Sequence, residues 1–469
     1  MLELTQQFLT DPANEDTRLV VLTQGSLTDH PDPVTAAVWG LLRSAQTEQP
    51  GRIVLIDVDI WSDEAFAAAI ATGEPQVAFR AGQLFVPRLA LASVGADPAP
   101  VWNPDGTVLI TGASGTLGRL VARHLVTEHG VRHLLLLSRS GTRGSEEFAA
   151  ELVELGATPA FVACDVADRD QLTAALAGIP AEHPLTAVVH AAGVLDDAAV
   201  TNLGVEQLAN VLRPKTDAAD LLHELTAGAD LAAFVLFSSV AGVIGTAGQA
   251  NYAAANAYLD ALAQDRHAAG LPATSLAWGL WAEGSSMTGH LDSADLGRLT
   301  RTGLAPLTTT QGLNLLDQAL TTTHPTLVPA RLDLPTLRNR ATDNTLPTLY
   351  RNLVRTPTRP TATTHTNQTG TWTTDMAALT PEERRTTLIT LLHHHINTVL
   401  GHTTTDTPDT ERPFRDMGFD SLTGLELRTR LQNTTGLRLP STLVFDYPTL
   451  TTLAHHLDQH IQGTTTTHT

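Results

Sequence analysis

The sequence predicts an α/β protein: a doubly wound parallel sheet followed by a small all-α bundle. Three observations lead there. Six apolar runs of strand length, "TVLITGA", "HLLLLSRS", "PAFVACDV", "LTAVVHAAG", "LAAFVLFSS" and "ATSLAWGLW", alternate with helix-period segments between residues 107 and 281, and such alternation builds parallel sheets with crossover helices. Residues 355–375, "RTPTRPTATTHTNQTGTWTTD", are rich in Thr and Pro and nearly free of apolar side chains, the composition of a mobile linker. Beyond it, "LTPEERRTTLITLLHHHINTVLG", "LTGLELRTRLQNTTG" and "TLTTLAHHLDQHIQ" place apolar residues at helical spacing in a segment suited to a small bundle.

Bulk properties narrow the class. At 469 residues the chain is expected to hold two or three domains. The formal charge of −20 disfavours nucleic acid and anionic membrane and favours basic protein partners. No run of eighteen apolar residues and no charged-then-apolar leader is present, so a soluble chain without a membrane span or secretory signal is expected. Cys164 is the single cysteine, which excludes an internal disulfide framework and fits a reducing, cytoplasmic setting.

Along the chain, residues 1–99 alternate "RLVVLTQG" and "RIVLIDVDI" with the helical "VTAAVWGLLRSAQ", a βαβ pattern without a phosphate-binding glycine cluster. The first strand after it runs into "TGASGTLG", Thr111 to Gly118. Glycines at 112, 115 and 118 let the backbone turn and approach a pyrophosphate, and the following helix offers its N-terminal N–H groups. A glycine triplet alone also fits a bland turn; the strand before and helix after favour a Rossmann-like dinucleotide site holding Thr111, Gly112, Ser114, Gly115, Thr116, Leu117 and Gly118. The second strand ends in Ser138-Arg139-Ser140 with no acid to bind a ribose hydroxyl. Arg139 suits a 2′-phosphate, hence NADPH, although a solvated surface arginine would read the same. Asp165 and Val166 are placed to flank adenine. Ala191, Ala192 and Gly193 of "HAAG" close the fourth strand near the nicotinamide ribose.

Reduction of a carbonyl needs a proton donor and a group to orient the oxygen. Tyr252, opening "NYAAANAYLDALA", is the candidate acid, provided that a neighbouring cation lowers its pKa. Ser239 lies thirteen residues earlier at the end of "FVLFSS", with Ser238 its rival; strand alternation turns one of them away from the cleft. Four residues after Tyr252, where a lysine is common, stands the uncharged Asn256. Lys215, in "NVLRPKTDAADLLHELT", is the only lysine in the chain. A lone lysine is most often a solvated one, but in an arginine-using chain it suggests a need for ammonium geometry.

With these residues the chain, from about 1 to 340, resembles the ketoreductase domain of modular type I polyketide synthases, a branch of the short-chain dehydrogenase/reductase superfamily. "TGASGTLG", "LLLLSRSG", "HAAGVLDD", "FSSVAG", "GQANYAAANAYLDALA" and "AWGLWAEG" carry the resemblance. It implies that lysine and asparagine are exchanged between two positions, so that Tyr252 donates the proton, Ser239 orients the carbonyl, Lys215 tunes Tyr252 and binds ribose, and Asn256 supports them. It also implies a truncated structural subdomain without cofactor, of which residues 1–99 look like only the later part.

Leu195-Asp196-Asp197 resembles the Leu-Asp-Asp signature of B-type ketoreductases, and "VAGVIGTAGQAN" lacks the tryptophan of A-type enzymes. The resemblance therefore implies a D-configured β-hydroxyl; without it, the two aspartates read as a solvated turn or helix cap. Ala254 stands where epimerising B-type enzymes usually have proline, which favours reduction without α-epimerisation. Met287, in the lid-like "WAEGSSMTGHL", is a candidate substrate contact.

"MGFDSL" places Ser421 at a helix start, where an N-cap serine is ordinary. Residues 379–462 resemble an acyl carrier protein, which implies 4′-phosphopantetheine on Ser421, with Asp416, Asp420 and Glu426 contributing an acidic recognition face or only solvation. The run His393-His394-His395 is not read as a metal cluster, since adjacent helical residues diverge, and no metal is expected. The expected division is 1–99 structural subdomain (incomplete), 100–340 catalytic subdomain, 341–378 linker, 379–463 carrier and 464–469 disordered tail. Expected partners are a β-ketoacyl thioester on the carrier, ketosynthase and acyltransferase domains, and a phosphopantetheinyl transferase, in a larger homodimeric assembly.

Overall fold

A computed structural model describes residues 1–93, 101–283, 303–342, 345–354, 372, 376–400, 410–419, 421–437, 439–440 and 442–465. The chain forms two compact units: one spans Met1–His290 with Thr302–Thr356, and the other contains Pro357–Thr469.

In the first unit, helix α1 (Leu2–Thr10) leads to β1 (Leu19–Gln24), α2 (Pro33–Glu48), β2 (Ile53–Val58), α3 (Asp63–Ala71), β3 (Gln76–Arg80) and β4 (Gln83–Phe85). The strands form one sheet in the order β1-β2-β3-β4, the first three parallel and β4 antiparallel. Helix α2 starts where Asp32 accepts the N–H groups of Val34 and Thr35, with proline in its first turn, a strong start signal.

A second, parallel sheet follows, with strands β5 (Thr107–Thr111), β6 (His133–Ser138), β7 (Thr158–Ala163), β8 (Leu185–His190), β9 (Ala233–Ser239) and β10 (Thr274–Trp278). Between them run α4 (Thr116–Thr127), α5 (Glu146–Glu154), α6 (Arg169–Ala177), α7 (Val205–Leu212), α8 (Thr216–Leu225), α9 (Val240–Ile244) and α10 (Ala250–Ala268). The unit closes with β11 (Leu304–Ala305), α11 (Thr309–Ala319), β12 (Thr326–Leu327), β13 (Arg331–Leu332) and α12 (Leu334–Thr342). The sheet order is β12-β10-β9-β8-β5-β6-β7. All six apolar runs are strands, and β12, two residues long and paired with β10, was too short to be read from the sequence.

Alternation explains the burial on both faces of this sheet. Val108 and Ile110 of β5, Val189 of β8, and Val235 and Phe237 of β9 enter one core, whereas Leu109, Val188, Phe234 and Leu236 enter the other. Helices α2 and α10 pack so closely that a Cβ at Gly40 would lie 2.3 Å from the Ala253 carbonyl oxygen. Trp39, Leu42 and Ile53 thereby share a core with Leu203, Ala250 and Ala254, which joins the two sheets' halves into one unit.

The second unit contains α13 (Pro381–Leu400), α14 (Ser421–Thr435), α15 (Leu443–Asp446) and α16 (Leu450–Thr465). Leu388, Leu392, Ile396 and Val399 of α13 meet Leu427, Leu431, Leu453 and Leu457 in a common core, the expected 3.6-residue stripe. Helix α16 reaches Thr465, two residues into the segment expected to be a disordered tail. Among the described residues, no helix is long and apolar enough to cross a membrane.

Candidate active site

The order of the second sheet reverses between β5 and β8, and clefts at such a switch point, beyond the carboxyl ends of the strands, are where open α/β sheets bind ligands. The glycine loop leaves β5 there. Gly112 has φ +69, and a Cβ on it would come within 2.8 Å of the Ala191 carbonyl and the Ala192 nitrogen; one on Gly118 would lie 2.5 Å from the Gly112 carbonyl oxygen. Only glycine fits at both positions, and α4 begins directly after Gly115. This is the cradle a pyrophosphate requires. Buried Thr111 ties the two loops together, its Oγ accepting from the Ala191 and Ala192 N–H groups, each at 3.2 Å.

His190, missed in the sequence, completes that tie. Its Nε2 faces the Lys215 carbonyl oxygen at 3.1 Å, which can only accept, so Nε2 donates and Nδ1 accepts from the Thr111 hydroxyl at 2.7 Å. Burial, and then the Lys215 charge, push the His190 pKa down to about 3, so the ring holds this neutral tautomer at physiological pH.

Lys215 sits in the turn between α7 and α8 and is 3% exposed. Its Nζ donates to the Phe237 carbonyl and to Asn256 Oδ1, both at 2.9 Å, and lies 5.2 Å from the centre of the Tyr252 ring. Two of the three ammonium donors are thus used. A Cβ on Gly193 would press within 2.9 Å of Lys215 Cε, so that glycine makes room for the lysine. Asn256 is fully buried and donates through Nδ2 to the Tyr252 carbonyl at 2.7 Å; one helical turn beyond Tyr252, it fixes the lysine beside the ring. Ser238 turns away, donating to the Asn256 carbonyl at 3.1 Å. Ser239, half-buried at the start of α9, accepts from the Ala241 N–H at 3.3 Å.

The Tyr252 pKa lies above its ordinary value rather than below it. Burial raises it, and Asp197 adds to the rise; hydrogen bonding from Ser239 and Asn256 opposes without reversing it. The lysine is itself pushed down to about 7 by burial, against the pull of Asp260. Tyr252 therefore keeps its proton at neutral pH. Asp260, also missed, follows Asn256 by four residues on the same helix and accepts from Ser275 Oγ at 2.6 Å; burial raises its pKa to about 6.

Arg139 and Ser140 are exposed beyond β6, whereas Ser138 is buried. Asp165 accepts from Arg213 at 2.6 Å. Burial resists its ionisation, but Arg213 and the Ala167 N–H together hold its pKa low; Val166 beside it is buried. Asp196 is tied to α7 by Gln207 at 2.8 Å and Asn210 at 3.1 Å, and Asp197 accepts from Gln249 at 2.9 Å, so the Leu195-Asp196-Asp197 segment is held between α7 and the residues before Tyr252. Ala254 does not join this group: at 3% exposure it packs in the core shared with Trp39 of α2. It lies on the face of α10 away from the tyrosine, so its side chain does not line the cleft. Met287 and Asp420 lie outside the described residues.

In the second unit α14 starts at Ser421, after a turn in which Gly418 takes φ +95. Asp416 is exposed, but Glu426 is half-buried and accepts from Arg430 at 3.0 Å. His395 approaches Thr434 and His393 approaches Asn397, so these histidines diverge. A metal-capable group that the sequence did not suggest occurs elsewhere: ligand atoms of His124, His129 and Asp317 lie within 4.8 Å of one another. Asp317 is directly hydrogen-bonded by both rings, at 2.9 and 2.8 Å, and this contact is satisfied without an ion.

Residues 106–283 match the family described as "KR domain", residues 1–89 "Polyketide synthase extender module SpnB, Rossmann fold domain", and residues 391–457 "Phosphopantetheine attachment site". The chain is 50% identical over 469 residues to polyketide synthase GfsE of Streptomyces halstedii, covering 99% of this chain and 12% of that protein. It is 48% identical over 363 residues to mycoketide-CoA synthase of Mycobacterium tuberculosis, covering 76% of this chain and 9% of that one. It thus spans only a small part of these relatives. Among solved structures it is similar to an A-type ketoreductase from a modular polyketide synthase, with TM-score 0.67, 40% identity and coverage of 75% of this chain and 76% of that one. It is also similar to the ketoreductase from the first module of phoslactomycin biosynthesis in Streptomyces sp. HK803, with TM-score 0.67, 35% identity and coverage of 76% and 84%. The chain belongs to the ketoreductases of modular polyketide synthases and carries a phosphopantetheine-attachment domain C-terminal to the reductase.

Proposed function

We propose that the protein reduces a β-ketoacyl thioester, held on its own carrier domain, to the D-β-hydroxyacyl thioester with NADPH. The observation that carries this reading is the meeting of Ser239, Tyr252, Asn256 and Lys215 beside the glycine cradle at the switch point. A bound NADPH supplies the hydride, to the β-carbon. Ser239 Oγ donates to the β-carbonyl oxygen, and Tyr252 passes its phenolic proton to that oxygen as charge develops there. The Lys215 ammonium beside the ring stabilises the phenolate left behind, and its remaining N–H would be available to hold the ribose of a bound cofactor.

The stereochemical reading rests on Leu195-Asp196-Asp197 and on the absence of tryptophan from residues 240–251. Overall likeness does not select a type, since A-type and C2-type ketoreductases are similar at 40% and 38% identity. Reduction without epimerisation rests on Ala254 alone, and a proline there would act through the backbone of α10 rather than in the cleft. The domain limits 1–99, 100–340, 341–378, 379–463 and 464–469 are retained, with Ser421 as the attachment residue. The assembly is a cytoplasmic, homodimeric synthase whose ketosynthase and acyltransferase domains build the substrate.

The cofactor choice is tested on Arg139, exposed beside the cleft and close enough in charge to act on Asp165. Arg139→Ala is expected to raise the KM for NADPH about tenfold or more, the worth of one charge-assisted hydrogen bond, and to leave the KM for NADH unchanged. Equal shifts for both cofactors would refute the 2′-phosphate role.

A further inference from the structure

Glu48, the last residue of α2, is 1% exposed although it belongs to the subdomain that lacks the cofactor loop. Its two carboxylate oxygens reach into the catalytic subdomain. Oε2 accepts the N–H of Val200 and Oε1 the N–H of Gly248, each at 2.8 Å. Val200 follows Asp197 by three residues, and Gly248 precedes Tyr252 by four. One buried carboxylate therefore ties the loop that follows Asp197 to the loop that precedes Tyr252.

The same loops meet above this pin. The Ala198 N–H donates to the Gly248 carbonyl at 2.9 Å. Gln249 Nε2 donates to Asp197, and Asn251 Nδ2 to the Asp196 carbonyl at 2.7 Å. Gly248 has φ +80, a conformation glycine adopts without strain and other residues rarely do, so the turn into which Glu48 reaches is built on that glycine. Charge-assisted bonds to two backbone N–H groups are short and strong, and a carboxylate can accept both at once. A glutamine cannot: its amide would turn N–H against one of the two donors.

We propose that Glu48 is a positioning residue for stereocontrol, setting the separation of the 195–200 and 245–249 loops and hence the carbonyl face offered to the hydride. This rests on the reading that the Leu195-Asp196-Asp197 loop selects that face. The structural subdomain then takes part in selectivity and not only in stability.

The test uses the full chain and an α-unsubstituted β-ketoacyl thioester with NADPH, scored by the enantiomer ratio of the β-hydroxy product. Glu48→Gln is expected to lower that ratio about tenfold, with the KM for NADPH unchanged. Glu48→Asp, which keeps the charge but retracts the oxygens, is expected to lower it less, and serves if the glutamine variant does not fold. A slower or less stable variant with an unchanged ratio overturns the proposal. Asp197→Ala separates the two ideas: a ratio moved by Asp197→Ala but not by either Glu48 variant refutes the pin alone, and a ratio moved by none of them refutes the loop reading as well. A ratio moved by Glu48→Gln alone keeps the pin and removes Asp197 from the explanation.

Discussion

Tyr252→Phe is expected to lower kcat for ketone reduction by about 10² to 10⁴-fold, the range general acid catalysis supplies, while thermal stability and carrier loading stay as in the parent. The substitution deletes one oxygen from a half-buried ring and leaves α10 intact. The ring keeps its place over Lys215 Nζ, 5.2 Å from its centre, and Asn256 keeps its bond to the Tyr252 carbonyl. What disappears is the only phenolic proton in this cluster. Because burial holds the Tyr252 pKa above its ordinary value, that proton is present across the neutral range and is given up only to a stronger base, the oxyanion. Reduction within tenfold of the parent rate would remove Tyr252 from the proton-donor role. An inactive scaffold would show no reduction in either protein.

Ser421→Ala is expected to abolish the mass gain produced by a phosphopantetheinyl transferase, and with it all reduction of a carrier-loaded chain. In the proposed role the Ser421 hydroxyl oxygen forms the phosphodiester, and alanine removes that oxygen. A helix of fifteen residues begins at Ser421, and the positive end of its dipole favours a phosphodiester there. Reduction of a free thioester surrogate should survive the substitution, since the reductase cluster lies in the other unit. Tethering raises the local substrate concentration to the millimolar range, so the loaded parent protein should also outpace its own reaction with dilute free substrate. A mass gain retained in Ser421→Ala would place the arm elsewhere.

The elements of this fold were legible wherever the signal was local. Each strand of β5 to β10 announced itself as an apolar run, and the glycines of "TGASGTLG" sat where a strand passes into a helix. The exchange of lysine and asparagine was also readable, because Asn256 stands one turn after Tyr252 and the chain has a single lysine. What could not be read depended on packing between distant segments. A Tyr252 pKa lowered by a cation is the sequence expectation; burial raises it in the structure, and burial at one ring is not a local property. Ala254 takes its stereochemical reading from the resemblance alone; a helix turns about 200° over two residues, which sends its side chain into the core behind Tyr252, a placement only the packing reveals. Asp260 was within reach, four residues beyond Asn256 on the same face. Glu48 was not: its partners are Val200 and Gly248, 152 and 200 residues away, and no local pattern marks it.

The most direct test loads the phosphopantetheinylated protein with a racemic 2-methyl-3-ketoacyl chain, supplies NADPH, and resolves the released acids by chiral chromatography. A D-configured β-hydroxyl is expected to predominate. Predominance of the L-configured alcohol would contradict the role given to Leu195-Asp196-Asp197, and absence of any alcohol would contradict reduction by the cluster of Ser239, Tyr252, Asn256 and Lys215.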